Sequence, residues 1–133
     1  MHIDHIGIAV KDLEEAVKIY EAILDSPCSK RERVESEMVE TAFFQTGESK
    51  VELLGATSPD SVIAKYVEKK GEGLHHVAFE VQDIFSELER LRSLGFRVLN
   101  EKPKDGADNK LVAFLHPKGN NGVLVELCQS KKG

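Results

Sequence analysis

The chain has 133 residues, with 18 Lys and Arg against 23 Asp and Glu, for a formal net charge of −5 at pH 7. That length bounds it to one compact domain or two small modules sharing a core, because a half-length unit buries too little surface to stand alone. The acidic balance excludes a nucleic-acid surface built from clustered Lys and Arg. The longest apolar runs are strand-sized, so no membrane span is expected.

Residues 3–10 alternate and carry Ile and Val, which predicts a strand. Met1-His2-Ile3-Asp4 leads straight into it, so no signal peptide is expected. Asp12 is a good N-cap, and Leu13, Ala16, Val17, Tyr20, Ile23 and Leu24 recur on one helical face. Pro27 ends that helix near Asp25-Ser26-Pro27. Strands are expected over 28–35, 38–46 and 49–54, the last two joined by the tight turn Thr46-Gly47-Glu48-Ser49. A connection over 56–72 holds a short helix capped by Ser58 or Asp60 and closed by Gly71 and Gly73. The pattern then returns: a strand over 74–81, an Asp83-capped helix to about Gly95, and a strand over 96–100. A Lys-, Gly- and Asp-rich loop over 101–109, a strand over 110–115, a turn over 116–122 and a strand over 123–128 complete it. Residues 129–133 read as a frayed tail.

The return is a repeat. His5 falls on His76 without a gap, and Ala42-Phe43-Phe44 falls on Ala113-Phe114-Leu115 at the same offset. A slightly longer connection in the second half then brings Val51-Glu52-Leu53 onto Val125-Glu126-Leu127. The fold class is therefore α+β, with module one over 1–55, a linker helix over 56–72 and module two over 73–133 in a single domain. Each half supplies one strand-borne His and one strand-borne Glu. A lone strand His is usually a hydrogen-bonded core residue, and Glu52 and Glu126 taken singly fit the solvent side of alternating strands. The repeat of both favours one divalent metal site. Two neutral imidazoles and two carboxylates neutralise the ion, and the mixed N/O set suits Zn, Co, Mn, Ni or Fe(II). Cys28 and Cys128 lack metal-ligand spacing and read as free thiols of a reducing cytoplasm.

Several blocks also carry a resemblance. They are Ile3-Asp4-His5-Ile6-Gly7-Ile8-Ala9-Val10, Val51-Glu52-Leu53-Leu54, Ser58-Pro59-Asp60-Ser61, Gly73-Leu74-His75-His76-Val77, His116-Pro117-Lys118 and Gly122-Val123-Leu124-Val125-Glu126-Leu127. On them the chain resembles the vicinal-oxygen-chelate superfamily, which includes glyoxalase I, extradiol dioxygenases and fosfomycin-resistance proteins, and within it the methylmalonyl-CoA epimerases. The resemblance implies two tandem βαβββ modules forming a curled mixed sheet around one metal cleft. Its ligands map to His5, Glu52, His76 and Glu126, and it implies a homodimer and an acyl-coenzyme A substrate. The implied reaction interconverts (2R)- and (2S)-methylmalonyl-CoA by proton abstraction at C2 through a metal-stabilised enolate.

Two acid/base groups are then wanted, one for each face of C2. Glu126 is one candidate. Glu40 is the other, because it matches a base position proposed in some bacterial members; its ordinary alternative is a solvated strand residue beside Glu35, Glu37 and Glu48. Lys118, with Lys102, Lys104 and Lys110 near it in sequence, is the candidate contact for coenzyme A phosphates. The competing functions are a glyoxalase I-like lyase acting on a thiol hemithioacetal and a non-catalytic binder of small molecules.

Overall fold

Both long helices begin at the Asp that the sequence places before them. The computed structural model describes residues 1–131. The elements are β1 (His2–Val10), α1 (Leu13–Leu24), β2 (Lys30–Val34), β3 (Val39–Thr46), β4 (Ser49–Ala56), α2 (Val62–Lys70), β5 (Gly73–Glu80), α3 (Ile84–Ser93), β6 (Lys104–Gly106), β7 (Lys110–Leu115) and β8 (Val125–Ser130). Ahead of α1, Asp12 is extended and its carboxylate accepts the Glu15 N–H at 3.1 Å. Ahead of α3, Asp83 accepts the Ser86 N–H at 3.2 Å and the Ser86 hydroxyl at 2.9 Å. These bonds to Ser86, the hydroxyl's first, hold the Asp83 carboxyl below its ordinary range.

The linker helix corrects the expected cap. Ser58-Pro59-Asp60-Ser61 first closes a turn, with the Ser61 N–H donating to the Ser58 carbonyl at 3.1 Å. The Ser58 hydroxyl oxygen is occupied by the Asp60 N–H at 3.1 Å. The cap therefore moves to Ser61, fully buried, which accepts the Ile63 N–H at 3.1 Å.

The described chain divides into two compact units, residues 6–75 and residues 1–5 with 76 onward, so β1 and β5 each contribute to both. In the first unit the strand order is β2-β3-β4-β1, with β2–β3 and β3–β4 antiparallel. The helices take opposite faces. On α1, Ala16 and Val17 pack on Val10, Ala42, Phe44 and Leu53. On α2, Ile63 packs on Ala9, Val39 and Leu54. In the second unit the order is β1-β5-β8-β7-β6. There β5 and β8 are parallel while β8–β7 and β7–β6 are antiparallel, so the sheet is mixed. Ile84, Leu88 and Leu91 of α3 cover Ala113, Leu115 and Leu127, and Ala78, Val112 and Cys128 cluster separately.

The third strand of the second half is displaced. Residues 96–100 shrink to one bridge, Val98 to Leu115, because the Asn100 side chain takes the Phe114 N–H at 2.8 Å and ends the ladder. Pairing resumes at β6, inside the expected loop. Asn120 holds Val123 in the preceding turn through its carbonyl and its side-chain amide, so β8 starts at Val125. It runs on through Gln129 and Ser130, which were expected in the tail; Lys132 and Gly133 lie outside the described residues. Among the described residues no helix is long and apolar enough to cross a membrane. Cys28 and Cys128 are free thiols.

Candidate metal centre

Strand alternation sorts the second unit into an apolar side and a polar side. Leu127, Ala113 and Leu115 turn toward α3. The other parity gives His76, Ala78 and Glu80 on β5, Glu126, Cys128 and Ser130 on β8, and Lys110, Val112 and Phe114 on β7. On that side His5, from β1, meets His76 and Glu126. The two Nε2 atoms are 3.1 Å apart, and Glu126 Oε1 lies 3.6 Å from His5 Nε2 and 3.2 Å from His76 Nε2. All three side chains are buried, at 5–6% exposure. The imidazoles meet edge to face, and the Phe114 ring stands edge-on against His76 at 5.9 Å.

These groups fit one divalent ion. Donors sharing an ion at bonds of about 2.0–2.2 Å lie about 3–3.5 Å from one another, which is the spacing seen here. Neutral imidazole and carboxylate are the donors that first-row divalent ions take. The sequence brought these three residues together through the repeat alone.

Behind His5 lies a second set of contacts that the sequence reading missed. His5 Nδ1 is 2.7 Å from Asp4 Oδ2. The Lys110 ammonium donates to Asp4 Oδ1 at 3.3 Å, to Glu80 Oε1 at 2.9 Å and to the Ser130 hydroxyl oxygen at 2.9 Å. The Ser130 hydroxyl in turn donates to Glu80 Oε1 at 2.6 Å. Burial works to lower the Lys110 pKa, but the bond to Glu80 and the charges of Asp4 and Glu80 outweigh it and hold it above its ordinary value. Burial likewise works to raise the Glu80 carboxyl, and its bonds to Ser130 and Lys110 bring it below its ordinary range. Lys110 is thus a buried counter-ion and not a phosphate-facing cation, which corrects that expectation. Asp4, His5 and Cys128 also place donor atoms within 4.8 Å of one another. There the Lys110 ammonium already fills the cation's role, and burial, then Glu126 and Asp4, push the Cys128 thiol well up.

Glu52 is buried on β4, and Phe43 is its cross-strand partner. The unbroken β3–β4 register places Val39, Thr41, Phe43, Glu52 and Leu54 on one face and Glu40, Ala42, Phe44, Leu53 and Gly55 on the other. Glu40 therefore sits on the α1 side, opposite Glu52. Its carboxylate accepts from Arg31 at 2.8 and 3.1 Å and lies 3.5 Å from Arg33. It borders a cavity of about 230 Å³ lined also by Lys11, Leu13, Arg33 and Thr57. Register thus places Glu40 on the face of its sheet opposite the one that carries Glu52. Glu40→Gln should retain metal binding and leave epimerase turnover within about twofold, far from the roughly 10²–10⁴-fold loss of a general base. A chiral turnover assay showing the larger loss would restore Glu40 to the reaction. Lys118 is exposed on the Pro117–Gly119 turn, its N–H held by His116 Nδ1 at 3.0 Å. His75 packs edge-on against Tyr66 at 4.7 Å.

Known proteins share this arrangement of sequence and fold. The Glyoxalase/Bleomycin resistance protein/Dioxygenase superfamily matches residues 4–114. Mitochondrial methylmalonyl-CoA epimerase of Homo sapiens is 40% identical over 129 residues, covering 96% of this chain and 73% of that protein. The ethylmalonyl-CoA/methylmalonyl-CoA epimerase of Cereibacter sphaeroides is 40% identical over 129 residues, covering 96% of each. Among solved structures, a variant of Streptomyces coelicolor methylmalonyl-CoA epimerase in complex with 2-nitronate-propionyl-CoA superposes with a TM-score of 0.93 at 38% identity, covering 98% of this chain and 94% of that one. With a superfamily match over most of its length and epimerase relatives aligned over 96% of it, the chain belongs to the glyoxalase/bleomycin-resistance/dioxygenase superfamily and, within it, to the methylmalonyl-CoA epimerases.

Proposed function

We propose that this chain interconverts the 2R and 2S forms of methylmalonyl-CoA by taking the C2 proton from one face and returning a proton to the other. The observation that carries the reading is the buried cluster of His5, His76 and Glu126 in a chain aligned throughout with epimerases. His5, His76 and Glu126 would hold one divalent ion, Co, Zn, Mn or Ni, with Glu52 as the fourth ligand. Glu52 enters on its place in the repeat, where it aligns with Glu126. When bound, the ion supplies a Lewis acid for the charge that develops on the thioester oxygen as C2 loses its proton.

The proton itself is moved by carboxylates. Glu126 takes or returns it at one face of C2. Glu52, the repeat mate of Glu126, serves the opposite face of C2, since Glu40 takes the other side of its own sheet. Removal of C2–H protonates one carboxylate, the other, protonated beforehand, delivers its proton to the opposite face, and proton exchange with solvent resets the pair before the next turnover. The apolar neighbours Ala78, Val112 and Phe114 exclude water from the Glu126 side, which strengthens electrostatic interactions there. Lys118, exposed on its turn, meets a coenzyme A phosphate as a point charge. Residues 1–133 work as one domain of two modules and a linker helix, assembled as a cytoplasmic homodimer.

A substrate comparison tests the reading. The metal-loaded protein should interconvert the two methylmalonyl-CoA epimers and act poorly on the glutathione hemithioacetal of methylglyoxal. The opposite preference would make it a lyase, and tight acyl-coenzyme A binding without turnover of either would make it a sequestering protein.

A further inference from the structure

Two ring nitrogens of His5 face two different environments. Nε2 lies with His76 and Glu126, and Nδ1 lies 2.7 Å from the Asp4 carboxylate. We propose that Asp4, backed by Lys110, is a positioning residue that sets the tautomer and ring orientation of His5. The proposal rests on the reading of His5 as a metal ligand.

A neutral imidazole carries one proton, and a metal takes the nitrogen without it. The Asp4 carboxylate can only accept, so it selects the proton on Nδ1 and leaves the Nε2 lone pair aimed at the ligand cluster. Buried at 4% exposure, that carboxylate needs a compensating cation. Lys110 provides it from β7, across the sheet of the same unit. Glu80 and Ser130 hold the ammonium from its other side, so Lys110 is anchored and its charge is shared. Asp4 uses Oδ1 for Lys110 and keeps Oδ2 for His5.

Two measurements test this. In metal-free wild type, nitrogen-15 NMR of the imidazoles should place the His5 proton on Nδ1. Cobalt(II) titration should then show Asp4→Asn binding about 10–100-fold more weakly than wild type, the usual scale for losing such a partner, with shifted visible bands. Lys110→Arg, which keeps the cation, should bind within a few-fold of wild type. A wild-type His5 protonated on Nε2 overturns the proposal whether or not the variant folds. So does Asp4→Asn with wild-type cobalt affinity and bands, even if its thermal stability falls, because that is the mark of a purely structural role. Failure of wild type itself to bind cobalt, with His5 protonated on Nδ1, overturns instead the ligand reading beneath it.

Discussion

Replacing His76 by Ala removes the metal and the activity together. His76 Nε2 lies 3.1 Å from His5 Nε2 and 3.2 Å from Glu126 Oε1, so its loss takes a donor from the middle of the cluster. Losing a group that merely orients a ligand costs about 10–100-fold in metal affinity, and losing a ligand outright should cost more than about 100-fold. Turnover should fall by roughly 10²–10³ at limiting metal, the scale for deleting one preorganised electrostatic contact to a developing oxyanion. His75→Ala is the internal control. His75 is the next residue, but its ring packs on Tyr66 and contributes nothing to the cluster, so that variant should keep its ion. Metal analysis after dialysis reads both variants, and equal occupancy in wild type and His76→Ala would remove His76 from the site.

Glu126→Gln should be as damaging for a different reason. Gln keeps the shape of the side chain, so β8 and its pairing to β5 and β7 should persist. The amide cannot take a proton from C2 and is a weaker donor to a cation than a carboxylate. Turnover should fall by roughly 10²–10⁴, the range for a general acid/base group, together with metal affinity. Excess metal separates the two contributions. If saturating metal restores full turnover to the variant, Glu126 is only a ligand and the proton is moved by another group.

How far these residues were legible before the fold was known differs from one to the next. His5 and His76 stood out because the two halves align without a gap, and Glu52 and Glu126 followed once the longer second connection was allowed for. The helix caps Asp12 and Asp83 were readable because each precedes an apolar face of helical period. The face that Glu40 takes depends on register. With Thr46 opposite Ser49 at the hairpin, Glu40 falls opposite Gly55 and away from Glu52. Lys110 was misread because a lysine after a polar loop is usually solvated; counting back by twos from Phe114 through Val112 places it on the Glu126 side. Asp4 was missed for the converse reason. Neighbours on a strand normally diverge, yet its carboxylate reaches the ring next to it. The strand expected over 96–100 was stopped by a single side chain, Asn100, a contact that no local pattern announces.

The most direct test of metal-assisted proton transfer is deuterium wash-in at C2 of methylmalonyl-CoA in heavy water, followed by mass spectrometry with and without a chelator. The protein should place solvent deuterium at C2 of either epimer and yield the opposite one. Chelation should suppress both exchange and inversion, and added divalent metal should restore both. Exchange that proceeds undiminished after the metal is stripped would contradict the account, as would a metal-loaded protein that binds the thioester and leaves its C2 hydrogen in place.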